Sequence, residues 1–196
     1  MYSLKKSIMK NRIILITGPK HSGKSLCAAA LGRIAGTEAV DLDDLVEKQT
    51  GETPGTLFFR GPEIFMKAEV LALASYIRQP EQDNGIKIIA AGGGIVDNAE
   101  AMAMISLQRE IVRVYLEVSA ETAWQRILRT ATSGGLPSFL NTENPRETHL
   151  AIHERRSKAY KEQAKIIIAA EGKSPEDIAR EIMGRLQLLD IPSAEI

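Results

Sequence analysis

The sequence predicts an α/β fold: a parallel sheet with helices on both faces. Three observations carry that prediction. Short apolar runs alternate along the chain with longer helical patterns, and strands joined through helices pair in parallel. The octapeptide Gly18-Pro19-Lys20-His21-Ser22-Gly23-Lys24-Ser25 fits G-x-x-x-x-G-K-[ST], a phosphate-binding loop (P-loop) that joins a strand to a helix. The chain has 196 residues, enough for one domain with a substantial core and hardly enough for two.

The elements follow in order. Arg12–Thr17 is the first strand, because Ile13-Ile14-Leu15-Ile16 is an apolar run that ends at the glycine loop. Leu26-Cys27-Ala28-Ala29-Ala30-Leu31 then sets a helix from Lys24 to Ala35. Glu38–Leu42 reads as a short second strand, and Asp43–Gln49 as a helix that Thr50-Gly51 ends. Pro62–Ile77 is a longer helix, with Met66, Val70, Leu73 and Ile77 forming an apolar stripe at helical spacing. Ile86–Ala91 is a strand running into Gly92-Gly93-Gly94, and Asn98–Leu107 is a helix. A strand at Ile111–Val118 precedes a helix at Ala120–Arg129. Thr130–Asn144 is a polar loop containing glycine and Pro137. Arg146–Ala164 is a helix, Lys165–Ala170 a strand and Pro175–Leu189 the last helix, with Asp190–Ile196 a frayed tail. No repeat, low-complexity block or linker divides the chain, so residues 1–196 are expected to form a single domain.

Composition excludes several function classes. Lys plus Arg number 25 and Asp plus Glu number 25, so the formal net charge is zero. A general nucleic-acid binder would show a basic excess. Cys27 is the only cysteine, which excludes an intramolecular disulfide and fits a reducing cytoplasmic compartment. Its place on an alanine-rich helix suits a small core residue. The N-terminus is basic, but the apolar run behind it is too short for a signal peptide or a membrane span, and Met9 is an alternative start.

Three constellations carry chemistry. In the P-loop, backbone N–H groups and the first helical turn capture phosphate oxygens. Lys24 brings charge to the β- and γ-phosphates, and the Ser25 hydroxyl can reach magnesium. The four fixed positions match by accident in only about one chain of this length in a hundred. The second constellation is Asp41-Leu42-Asp43-Asp44. Residues two apart on a strand share a side, so Asp41 and Asp43 can share a site at the carboxyl end of the strand. One carboxylate can hold magnesium, and the other can orient a substrate hydroxyl. Helix capping by Asp43 or Asp44 is the structural alternative. The third is Gly92-Gly93-Gly94, where a ligand can approach the backbone and a following helix N-terminus favours an anion. His149 and His153 lie four apart on one helix, but the order is not H-E-x-x-H, and a solvated face is expected. Arg155 reads as a solvated cation.

The P-loop, the Asp-x-Asp beyond it, the triglycine and the Arg156-Ser157-Lys158-Ala159-Tyr160 helix resemble the shikimate kinase family. The resemblance runs from Ile13 to about Met183. It implies a P-loop, nucleoside-monophosphate-kinase-like sandwich with a five-stranded parallel sheet and a lid at about residues 130–145. It also implies transfer of the ATP γ-phosphate to the 3-hydroxyl of shikimate, with Mg2+ as cofactor. Gly18, His21, Ser22, Gly23, Lys24, Ser25 and Leu26 would line the nucleotide site, and Lys173 would lie on its adenine side. Ser25 and Asp41 would serve magnesium. Lys24 and Asp43 would be catalytic, Asp43 holding and orienting the shikimate hydroxyls. Gly92, Gly93 and Gly94 would contact substrate, and Arg156 would pair with its carboxylate. The expected partner is a small molecule, with no nucleic acid and no membrane, and the expected state is a cytoplasmic monomer.

The chain departs from the family at several positions. Phe65-Met66 stands where the family has Phe-Arg, an arginine that clamps the carboxylate. Lys67, one residue on, keeps a charge without the bidentate fork. Leu136-Pro137 replaces an Arg-Pro of the lid, and no charged residue occurs between Arg129 and Glu143. A cationic contact to the transferring phosphate can be worth roughly 10³–10⁵ in rate, so turnover is expected to be slow unless Arg129 or Arg146 substitutes. Arg126 or Arg129 can stack on adenine. His21 replaces a small P-loop residue, either donating to phosphate or facing solvent. The departures leave two further expectations: a divergent relative acting on another small hydroxy acid, or a non-catalytic nucleotide-binding module. An adenylate-kinase-like role fits poorly, because the lid lacks the arginines to hold two nucleotides.

Overall fold

The computed structural model describes residues 12–80, 85–131 and 135–189. Five strands form one parallel sheet: β1 (Arg12–Thr17), β2 (Ala39–Asp41), β3 (Ile86–Ala90), β4 (Ile111–Glu117) and β5 (Ile166–Ala169), in the order β2-β3-β1-β4-β5. Ile14 of β1 lies opposite Ile88 of β3 and Val112 of β4. The helices are α1 (Lys24–Ala35), α2 (Leu42–Thr50), α3 (Pro54–Arg60), α4 (Pro62–Arg78), α5 (Ala99–Leu107), α6 (Ala120–Ala131), α7 (Pro145–Gln163) and α8 (Pro175–Leu188).

Successive strand residues point to opposite faces, which creates two cores. Ile14, Ile16, Ile88, Val114 and Ile168 pack with α1 and α8. Ile13, Leu15, Ile89 and Tyr115 pack with α2, α4, α5 and Tyr160 of α7. Coverage is incomplete at β5, where Ile167 is 39% exposed. The expected helix layers on both faces are present, with the edge strand the least covered.

Strand order positions the site. Ligands of open α/β sheets bind beyond the carboxyl ends of the strands. The neighbours β2, β3 and β1 end, respectively, in Asp41, in the triglycine and in the P-loop. The fold thus lays the three sequence constellations side by side.

Several expectations need correction. Residue 42 is already helical, so Asp43 does not lie on a strand. The cap of α2 is neither Asp43 nor Asp44 but Asp41, whose side chain accepts from the Asp43 N–H. Helix α3 was not anticipated, although Thr53-Pro54 is an N-cap followed by a proline at N1. The lid loop contains a 3-10 turn at Ser138–Leu140, with Leu140 buried. His149 and His153 do not form a solvated face; both are buried. His149 lies 5.4 Å from Trp124 with the rings tilted by 36°, and its Nε2–H donates to the Ala120 carbonyl at 2.9 Å, bracing α7 against α6. The tail at 190–196 and the basic stretch before Arg12 lie outside the described residues. No helix among the described residues is long and apolar enough to cross a membrane.

Candidate active site

The P-loop needs glycine at two positions of left-handed or extended-positive φ. Gly18 has φ 148°, and a Cβ there would lie 2.8 Å from the Leu116 carbonyl oxygen. Gly23 has φ 95° and precedes α1. His21, at φ 62°, is the one non-glycine residue of positive φ among the described residues. A residue with a side chain in this region costs roughly 1–2 kcal/mol relative to glycine. The His21 ring is half-buried, 3.4 Å from the Thr130 hydroxyl, and Arg126 donates to its carbonyl at 2.9 Å. Burial, then Lys20, Lys24 and Arg126, hold the imidazole below its ordinary pKa and so favour the neutral ring.

Lys24 is buried beneath the loop and donates to the Pro19 carbonyl at 2.9 Å. Burial lowers its pKa to about 8, while Asp41 and Asp43 pull it back up. Ser22 Oγ is buried without a hydrogen-bond partner among the described residues. A loop with a buried hydroxyl donor, a buried ammonium and a helix N-terminus suits a polyphosphate.

Ser25 donates to Asp41 Oδ2 at 2.5 Å, while Asp41 Oδ1 accepts from the Asp43 backbone N–H at 3.0 Å. Asp41 thus ties α1 to α2 and aims Asp43 from the first turn of α2. Asp43 is half-buried. Burial, then the neighbouring Asp41, raise its pKa, and Lys24 and Lys20 oppose the rise. The Ser25 hydroxyl and Asp41 carboxylate make the partial oxygen set that suits magnesium, an ion that keeps waters and takes phosphate oxygens. Among the described residues no group of three His, Cys, Asp or Glu is arranged to hold a metal.

The triglycine is the hub. A Cβ on Gly92 would meet Asp43 Oδ1 at 3.1 Å and Glu69 Oε1 at 3.2 Å. One on Gly93 would lie 2.9 Å from the Lys20 backbone nitrogen, and one on Gly94 would lie 3.3 Å from Arg156 Nη2. Gly93 O accepts from Arg156 Nη1 at 3.0 Å and from the Tyr160 hydroxyl at 3.1 Å. Arg156 and Tyr160 are four apart on α7 and so share a face. P-loop, Asp43, triglycine and Arg156 therefore form one continuous cluster.

Glu69 is the site residue that sequence reading missed. Its side chain is buried, Oε2 accepts from Asn98 Nδ2 at 2.9 Å, and Oε1 has no partner in the structure. Burial pushes its carboxyl up to about 7, against the Asn98 hydrogen bond. The available signal was a glutamate on the buried arc of α4, beside Met66, Val70 and Leu73.

The other expected residues lie less centrally. Lys67 is exposed on α4, next to half-buried Met66. Leu26 is exposed on the first turn of α1. Lys173 bonds Glu181 at 2.6 Å, and Arg146 bonds Glu121 at 3.0 Å. Arg155 is exposed but paired with Asp97, not merely solvated.

A strand–P-loop–helix unit beside an Asp-x-Asp and a glycine hub defines a P-loop phosphotransferase. The chain belongs to the shikimate kinase family, whose sequence model matches residues 20–187. It is 30% identical over 175 residues to the shikimate kinase of a Marinomonas species, covering 89% of this chain and 91% of that one. It is 31% identical over 179 residues to that of Vibrio parahaemolyticus, covering 91% and 98%. Shikimate kinase from Aquifex aeolicus superimposes with a TM-score of 0.72 at 25% identity, over 92% of this chain and 99% of the other. Acinetobacter baumannii shikimate kinase in complex with shikimate gives 0.79 at 23% identity, over 96% and 99%, a likeness of fold.

Proposed function

We propose that this chain transfers the γ-phosphate of ATP to the 3-hydroxyl of shikimate, giving shikimate 3-phosphate and ADP. The observation that carries the reading is the convergence of P-loop, Asp43 and Arg156 on Gly92–Gly94, within one ligand's reach. The P-loop and Lys24 take the β- and γ-phosphates. Ser25 and Asp41 would hold magnesium, which when bound would spread charge on the transferring group. Asp43 accepts a hydrogen bond from the acceptor hydroxyl and aims its oxygen at phosphorus. A new P–O bond forms there, the bond to the β-phosphate oxygen breaks with ADP as leaving group, and the hydroxyl proton passes to Asp43 or water. Arg156 pairs with the acceptor carboxylate. The reading includes a monomer in the cytoplasm. The cytoplasmic part of it is supported by the single cysteine, Cys27, which fits a reducing compartment.

Phosphorus NMR of a mixture of ATP, Mg2+ and shikimate tests this directly. A phosphomonoester coupled to the shikimate C3 proton is expected, and its absence in protein that binds ATP contradicts the reading. Met66 favours a second reading, a divergent family member acting on another small hydroxy acid. A panel of such acids separates the two, because that reading requires one of them to outpace shikimate.

A further inference from the structure

With Met66 at one arginine position, the acceptor end holds fewer direct cations than the family pattern implies. Around Arg156 the chain has a different device. Asp97 lies in the 3-10 turn Ile95–Asp97, directly after the triglycine, and bridges two successive arginines of α7. Arg155 Nη1 meets Asp97 Oδ1 at 2.6 Å, and Arg155 Nη2 meets Oδ2 at 2.9 Å. Arg156 meets the same Oδ2 through Nε at 2.9 Å and Nη2 at 2.8 Å. The Arg156 and Asp97 side chains are 17% and 18% exposed, whereas Arg155 is 62% exposed. Phe139 of the lid loop lies over the Arg156 guanidinium at 5.8 Å.

A guanidinium has five N–H donors. Asp97 takes the one on Nε, Gly93 O takes one on Nη1, and Nη2 lies within ion-pair distance of Asp97 Oδ2. That leaves terminal N–H groups for a carboxylate of the acceptor. Asp97 alone would cancel the charge of Arg156. With Arg155 included, the trio carries a net positive charge. Burial opposes ionisation of Asp97, but the two guanidiniums overcome it and hold the carboxyl below its ordinary pKa, so the trio keeps this charge state at neutral pH.

We propose that Asp97 is a positioning residue that sets acceptor specificity. It fixes the guanidinium plane of Arg156 for the acceptor's carboxylate, while Arg155 restores the positive charge that Asp97 would otherwise cancel. The trio thus presents the acceptor carboxylate with the net charge of one arginine, held in a fixed orientation. This inference rests on the shikimate kinase reading of the site.

The test is steady-state kinetics at saturating ATP, with shikimate and its uncharged methyl ester as acceptors. Asp97→Ala is expected to raise the KM for shikimate by about 10- to 100-fold, the scale of a misplaced binding group. The KM for ATP and for the ester should not change, and Asp97→Glu should recover part of the loss. Arg155→Gln should raise the KM for shikimate less and flatten its salt dependence. If Asp97→Ala does not fold, Asp97→Asn, which keeps shape but not charge, is read the same way. An unchanged or lower KM for shikimate in a folded variant overturns the proposal, the lower value meaning that Asp97 competes with the acceptor. An equal rise for acid and ester also overturns it, as a structural defect. A wild-type protein that never turns over shikimate instead sinks the functional reading, and the proposal with it.

Discussion

Asp43, Lys24 and Glu69 are three buried or half-buried charges within one cluster, and each is pushed toward neutrality by desolvation. On the proposed mechanism, activity needs Asp43 ionised and Lys24 protonated, so kcat/KM for ATP should fall on both sides. The acid limb should lie above the usual aspartate range, and the alkaline limb near pH 8, where free Lys24 loses its proton. In kcat the alkaline limb should move up, because bound phosphates favour the ammonium. A pH–rate series measures both. Glu69 has a stability consequence as well. Its folded pKa of about 7 exceeds the 4.5 of the ordinary side chain, so the folded state holds the proton more tightly. Stability is therefore lost as pH rises from about 4.5 through 7. Glu69→Gln should be more favourable, relative to wild type, at pH 8 than at pH 5, by about 1–3 kcal/mol. Urea unfolding at both values decides it; an equal difference at the two contradicts the assignment.

At the scale of elements, Lys87 shows a role that no motif announces. It is buried on β3, and its ammonium donates to the carbonyls of Tyr76, Ile77 and Gln79 at 3.2, 2.7 and 2.5 Å. A cation there satisfies the orphan carbonyls at the C-terminus of α4 and complements its dipole. Lys87→Met should cost about 2–4 kcal/mol in chemical denaturation, since charged hydrogen bonds are lost and buried acceptors left. The KM for ATP should not change; a shift would mean that α4 moves the site. Sequence reading located this strand and helix well, because apolar period and glycine punctuation are local signals. It failed where tertiary contacts decide. Leu42 looks like a strand residue, yet Asp41 caps a helix that starts there. His149 and His153 look like a surface pair, yet Trp124 of another helix packs on His149, and His149 on His153. Glu69 likewise finds its hydrogen-bond partner in Asn98, the N-cap of α5.

At the scale of the molecule, the order β2-β3-β1 turns three separate motifs into one site. The P-loop and the triglycine were legible because glycine, lysine and serine at fixed spacing have few other uses. The Asp97–Arg156 pair was not legible, because residues 59 apart in sequence meet only once α7 lies beside the turn after β3. On the proposed function, Asp43 is the pivot between nucleotide and acceptor. The most direct check is coupled ADP release with ATP, Mg2+ and shikimate, for wild type and Asp43→Asn, against a blank without acceptor. Shikimate-dependent release that falls by about 10²–10⁴ in the variant is predicted. No stimulation by shikimate, in protein shown to bind ATP, would contradict the account.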